Sequence, residues 1–167
     1  PEKTKKQVEA VYKKLANDGK IKELLVTGKV QDVKKIIGKH YFIEGKVIKG
    51  AGRGGKLLHT PTANLSLEKP VPLKEGVYAV KVSFEGQRVK GSKGQRNGVA
   101  NIGKNPTFGD MPLSYEVHIF NFTGNLLGKK MHVDFVKRIR DEKKFRNIAE
   151  LEKEIKKDIK KAKEILG

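Results

Sequence analysis

The sequence predicts a mainly β domain with flanking helices: a six-stranded antiparallel barrel or sandwich, preceded by short helices and closed by one long C-terminal helix. Three observations predict it. Between residues 41 and 138 the apolar residues recur with period two, the spacing of half-buried strands. Turns bearing Gly or Pro separate those runs, and no helical pattern intervenes between them, which argues for antiparallel rather than crossover connections. Before and after this region the spacing reverts to three and four residues, the period of an amphipathic helix.

Taken in order, Val8, Val11, Tyr12 and Leu15 share one helical face, and Asn17-Asp18-Gly19 breaks it. Ile21, Leu24 and Leu25 restart the pattern up to Gly28, and Val30, Val33, Ile36 and Ile37 carry a third helix to Gly38, a residue suited to a helix stop. Strands are expected at 41–49, 62–66, 76–85, 97–103, 113–122 and 130–138. In the last segment Asn147 and Glu150 form a capping pair, and Ile148, Leu151, Ile155, Ile159 and Ala162 make an apolar stripe that should pack on the barrel. The expected division is a helical segment over 1–38 and a barrel with its helix over 39–167.

The 167 residues carry 37 Lys+Arg against 19 Asp+Glu, a net charge of +18. The excess is evenly spread: residues 1–39, 40–128 and 129–167 each net +6. With 31 of the basic residues lysine, and no arginine cluster interleaved with aromatics, solvated lysine faces explain the charge better than a nucleic-acid surface. Glu152, Glu154 and Asp158 dilute the basic face of the last helix, against a membrane-surface role. No apolar run is long enough to span a bilayer. The absence of cysteine excludes disulfides and thiol catalysis and fits a cytoplasmic protein.

Gly50-Ala51-Gly52-Arg53-Gly54-Gly55-Lys56 can bring backbone N–H groups and two cations to phosphate oxygens. It is not the common phosphate loop, because Leu57 follows Lys56, and a structural hairpin explains it equally well. Thr62 and Asn64 would share a strand face and offer two hard oxygens to magnesium, unless Asn64 merely closes a turn. Asn101-Ile102-Gly103-Lys104-Asn105-Pro106-Thr107 follows an apolar strand and either borders a ligand or forms a surface turn. Glu116 and His118 lie opposite Tyr115, Val117 and Ile119, so they face solvent or line a site, where one could act as a base. The four histidines show no zinc-motif spacing and there is no serine elbow.

In order, these residues resemble riboflavin kinase, the flavokinase module that forms the C-terminal half of many bifunctional bacterial FAD synthetases. The resemblance covers residues 39 to 166. It rests on Tyr41-Phe42-Ile43-Glu44-Gly45-Lys46-Val47, Gly52-Arg53-Gly54, Pro61-Thr62-Ala63-Asn64, Gly76-Val77-Tyr78, Asn101-Ile102-Gly103 with Asn105-Pro106-Thr107, Glu116-Val117-His118-Ile119, and Arg140-Asp141-Glu142-Lys143-Lys144-Phe145. It implies a Greek-key-type six-stranded barrel that binds Mg-ATP and riboflavin. By the same resemblance Gly52, Arg53, Gly54, Lys56, Pro61 and Thr62 contact the nucleotide, and Thr62 and Asn64 hold Mg2+. Glu116 is then the catalytic base, and Asn101, Gly103, Arg140 and Phe145 border the flavin.

The sequence departs from the family pattern in three places. His59-Thr60 stand before Pro61 where the family has Gly followed by Phe or Ile, and Asn125-Leu126-Leu127-Gly128 replaces Asp-Leu-Tyr-Gly. Asn17-Asp18-Gly19-Lys20-Ile21-Lys22 takes the place of a nucleotide-contact motif in the segment joining the two halves of the bifunctional enzyme. The expectation is FMN formation without FAD formation, by a monomer or by the C-terminal part of a longer bifunctional chain. The alternative is a basic barrel that binds RNA without catalysis.

Overall fold

The structure, a computed structural model, describes residues 4–10, 19–49, 62–85, 94–104 and 113–167. Helices α1 (Gly19–Val26) and α2 (Val30–Ile37) precede strands β1 (Tyr41–Ile48), β2 (Thr62–Ser66), β3 (Gly76–Phe84), β4 (Arg96–Gly103), β5 (Ser114–Ile119) and β6 (Lys130–Arg140), and α3 (Ile148–Leu166) follows. Residues 5–10 are also helical, and 11–18, the rest of the first expected helix, lie outside the described residues.

All six strands pair antiparallel and close into a barrel in the order β1-β2-β5-β4-β3-β6. β3, β4 and β5 are consecutive neighbours and β6 returns beside β3, which is the Greek-key arrangement. The alternation read from sequence sets the interior: Tyr41, Ile43, Leu65, Tyr78, Val80, Ile102, Tyr115, Val117, Met131, Val133 and Phe135 are buried in one core cluster. Tyr78 meets Phe135 edge-on at 5.2 Å and donates its hydroxyl to Lys74 O at 2.6 Å, so its one polar atom is satisfied. Ile21, Leu25, Val30 and Val33 join the same core, so α1 and α2 share the barrel's core.

Boundaries follow local chemistry. α2 stops at Gly38, whose left-handed backbone (φ 81°) lets its N–H reach Lys34 O at 2.8 Å. The fifth strand ends at Ile119 rather than at 122, because Asn121 turns the chain with φ 53° and swings Phe122 onto Phe84. β6 runs on to Arg140, two residues beyond the expected end, and carries two register shifts against β3. At Gly98 any Cβ would collide with the backbone carbonyl oxygen of His118, which permits only glycine where β4 meets β5.

Helix α3 begins as the sequence suggests: Asn147 Oδ1 accepts from Glu150 N at 2.9 Å, and Glu150 accepts from Arg146 N at 3.1 Å. Its contact face departs from the expected stripe at the first residue. Ala162 packs on Val77, Ala79 and Val99 outside the barrel, whereas Ile148 is 66% exposed. Asp158, placed by sequence on the solvated face, is buried because Arg140 holds both of its carboxylate oxygens.

Candidate active site

Period two turns the outward residues of neighbouring strands into rows. One row crosses every strand: Ile48 pairs with Asn64, Asn64 with Glu116, Glu116 with Asn101, Asn101 with Val77 and Val77 with Arg140. Thr62, His118 and Val99 form the parallel row one step along. Residues far apart in sequence are thus fixed at strand-pair separation, about 5 Å between Cα atoms.

Beside this row lies a cavity of about 280 Å³. It is lined by Asn101 and Gly103 of β4, Glu116 and His118 of β5, Arg140, Glu142 and Phe145 from the end of β6 and the segment after it, and Leu151, Ile155 and Ile159 of α3. The structure therefore brings together Glu116, Asn101, Gly103, Arg140 and Phe145 in one cavity, with Asn64 and Thr62 on the strand beside Glu116. Gly52, Arg53, Gly54, Lys56 and Pro61 lie outside the described residues, as do His59, Thr60 and Asn105-Pro106-Thr107.

The electrostatics separate the groups by role. Burial, with the Glu142 carboxylate nearby, raises the Glu116 pKa above the usual carboxylate range, the direction that makes a carboxylate a better proton acceptor. Among the described residues the Glu116 side chain has no hydrogen-bond partner. Burial lowers the His118 pKa to about 4, so its ring is neutral at neutral pH. His118 Nδ1 lies 3.0 Å from Thr62 Oγ1. With Nδ1 accepting the hydroxyl proton, both lone pairs of Oγ1 stay available to a cation. The Asn64 amide also has no hydrogen-bond partner among the described residues, so its oxygen is available too. Among those residues no group of three His, Asp or Glu could hold a metal alone. Two hard neutral oxygens fit magnesium whose remaining ligands are phosphate and water.

Arg140 points elsewhere than a purely ligand-binding role would suggest. Its Nε and Nη2 donate to Asp158 at 2.8 and 2.7 Å, Nη1 donates to Asp141 O at 2.9 Å, and its guanidinium lies 6.0 Å from the Phe145 ring centre. Burial opposes its charge, and the Asp158 carboxylate outweighs that and raises its pKa.

Sequence reasoning missed Asp158 and the apolar wall of α3 as parts of the site. A signal for Asp158 existed: it sits four residues after Glu154 and four before Ala162, on the line that meets the barrel. Glu142 was legible only as part of a motif. Its carboxylate lies about 3 Å from where Gly103 would carry a Cβ, so glycine there leaves room for it.

Comparison with known proteins agrees with this geometry. The family profile for flavokinase, riboflavin kinase, matches residues 37–166. The chain is 38% identical over 143 residues to the bifunctional riboflavin kinase/FMN adenylyltransferase of Haemophilus influenzae, covering 86% of this chain and 44% of that protein. It is 40% identical over 144 residues to the protein of the same description from Bacillus subtilis, covering 83% and 42%. The chain thus spans less than half the length of these curated relatives. A solved structure described as a macrolide-efflux protein from Streptococcus pneumoniae superposes with a TM-score of 0.76 at 30% identity, covering 88% of this chain and 46% of that one. That description is of the other protein; among the described residues here no helix is long and apolar enough to cross a membrane. A closed Greek-key barrel, a Thr–Asn pair whose asparagine is in register with a desolvated glutamate, and a profile match over most of the length lead to one assignment: the chain belongs to the riboflavin kinase family.

Proposed function

We propose that this chain phosphorylates riboflavin, transferring the γ-phosphoryl group of ATP to the ribityl 5′-hydroxyl to give FMN and ADP, and that it does not adenylylate FMN. The observation that carries this reading is the single row Asn64–Glu116–Asn101 at the edge of a cavity with an apolar wall. The row would supply a cation-binding oxygen and a polar border, each one strand-pair step from the base. The apolar lining of Phe145, Leu151, Ile155 and Ile159 suits a flat aromatic ring.

In this reading Glu116 accepts the 5′-hydroxyl proton as the hydroxyl oxygen bonds to the γ-phosphorus and the bond to the β-bridging oxygen breaks, releasing ADP. Thr62 and Asn64 would hold magnesium, which when bound neutralises charge on the phosphates. His118, kept neutral by burial, orients the Thr62 hydroxyl through the 3.0 Å contact. The loop over 52–56 would supply backbone N–H groups to the phosphates. Most of the rate enhancement then comes from position and electrostatics rather than covalent catalysis. We read residues 1–38 as the segment that joins the two halves of the bifunctional relatives.

The test is purified protein incubated with riboflavin, ATP and magnesium, with products separated by chromatography and detected by flavin fluorescence. FMN without FAD is the expected result. FAD would refute the restriction to one activity, and binding of riboflavin and ADP with no FMN would reduce the chain to a flavin-binding module.

A further inference from the structure

The polar side chains lining the cavity are not equivalent: some are committed to holding α3, and Arg140 is the hub of those. Its fork takes both oxygens of Asp158, which is 4% exposed, and Glu154 Oε1 lies 3.7 Å from Nε. Glu154 also accepts from Lys143 Nζ at 2.9 Å. Glu154, Asp158 and Ala162, spaced by four residues, form the line of α3 that grips the barrel and the 140–143 segment. Leu151, Ile155 and Ile159 are set round from that line and face the cavity instead.

We infer that Asp158 is a positioning residue for the flavin: by holding the Arg140 guanidinium it sets both the Phe145 ring and the apolar wall of α3 at the spacing the flavin ring needs. This inference rests on the riboflavin kinase reading. Two features separate it from a simple helix anchor. Arg140 contacts two parts of the cavity lining, Asp158 on α3 and the Phe145 ring on the connecting segment, so one ion pair acts on the placement of both. The pair is also bidentate, and that planar geometry fixes orientation as well as distance, which a single contact would not. Glu142, the third carboxylate near Arg140, makes no hydrogen bond to it, and the Nη1 bond to Asp141 O is to the neighbouring backbone, so of the side chains Asp158 alone takes the fork with two hydrogen bonds.

The experiment compares the parent with Asp158→Asn, which keeps shape and removes the charge, and with the exchanged pair Arg140→Asp/Asp158→Arg. The readouts are the KM values for riboflavin and for ATP, the quenching of flavin fluorescence on binding, and Tm. Asp158→Asn should raise the riboflavin KM about tenfold relative to the ATP KM, since misplacement of about 1 Å can weaken a site by up to 100-fold. It should also reduce the quenching at saturation, because the ring no longer stacks as closely. The exchanged pair should recover Tm toward the parent without recovering riboflavin affinity, because the guanidinium then sits on α3 and away from Phe145.

Equal changes in both KM values, or a lowered Tm with quenching unchanged, would overturn the inference and leave Asp158 a structural anchor. Recovery of riboflavin affinity by the exchanged pair would do the same. Should the exchanged pair fail to fold, Arg140→Lys, which retains charge and loses the fork, tests the same point through the KM ratio. If the parent forms no FMN, the kinase reading has failed. Riboflavin binding by fluorescence quenching then still decides the role of Asp158.

Discussion

Two outward polar patches lie on different sides of the barrel, each built around a strand histidine, and they are wired in opposite ways. Across β1 and β6, His132 is held through both ring nitrogens, Nδ1 at 3.0 Å from Glu44 and Nε2 at 2.9 Å from Asp134. The second oxygen of Asp134 accepts from Gln95 at 2.7 Å, that of Glu44 pairs with Lys130 at 3.2 Å, and the Phe42 ring stacks on His132 at 4.5 Å. On the cavity side His118 makes one side-chain contact, and Glu116 and the buried Asn101 Oδ1 have no hydrogen-bond partner among the described residues. Burial opposes charge on His132, but its two carboxylates outweigh that and raise its pKa, whereas burial drives His118 down to about 4. A polar patch complete in itself supports the fold. One left incomplete has room for a ligand to complete it.

The largest break in this contrast is Glu116→Gln. Loss of a general base should cut FMN formation by about 100-fold or more, with riboflavin binding largely kept. Stability should move the other way. A carboxylate whose folded pKa is raised destabilises the fold progressively as pH rises from its unfolded value through its folded one, so at neutral pH the amide relieves that burden. A variant with parental turnover would remove Glu116 from the mechanism, and a lower Tm would show that its charge supports the fold after all. Next in size, Asn64→Ala should shift the magnesium dependence of nucleotide binding about tenfold, the lower end of what loss of one contributor to a metal site brings. An unchanged magnesium titration would take Asn64 out of the ligand set.

The same contrast explains what could be read in advance. The closed barrel was legible because alternation alone decides which side of each strand is inside, and all six strand starts fall within one residue of the expected position, as at Tyr41 and Gly76. The outward set at Thr62, Asn64, Glu116 and His118 followed from the same parity. The ion pairs were less legible, because they depend on distance between elements rather than on period. Asp158 was read as a solvated charge: its place on the line of Ala162 hints at burial, but the guanidinium that makes burial possible comes from β6. His132 was passed over for the same reason: Glu44 and Asp134 converge on it only after β1 pairs with β6. Ile148 fits an apolar stripe by spacing, but it lies in the first turn of α3, exposed beyond the contact with the barrel.

The complementary test lies in the completed patch. His132→Gln keeps a polar side chain but cannot carry the charge that holds Glu44 and Asp134 together. The three side chains are 30%, 25% and 14% exposed, so solvent screens part of the interaction, and the expected loss is about 1 kcal/mol, or about 3 °C in Tm. FMN formation should be unchanged, since none of these groups lines the cavity. The sign with pH follows from the raised folded pKa of His132: its contribution is complete below the unfolded value near 6.5 and is lost as pH rises through the folded value. Glu44 sets the acid edge. Burial opposes its charge, but the bonds to His132 and Lys130 prevail and hold its pKa low, so its share persists above the unfolded carboxylate range and fades as pH falls through the folded value. The Tm difference between parent and His132→Gln should therefore be largest near pH 6 and shrink toward pH 9. A difference that stays constant across that range would mean that His132 acts through packing on Phe42 rather than through its charge, and the contrast between the two patches would then rest on the cavity side alone.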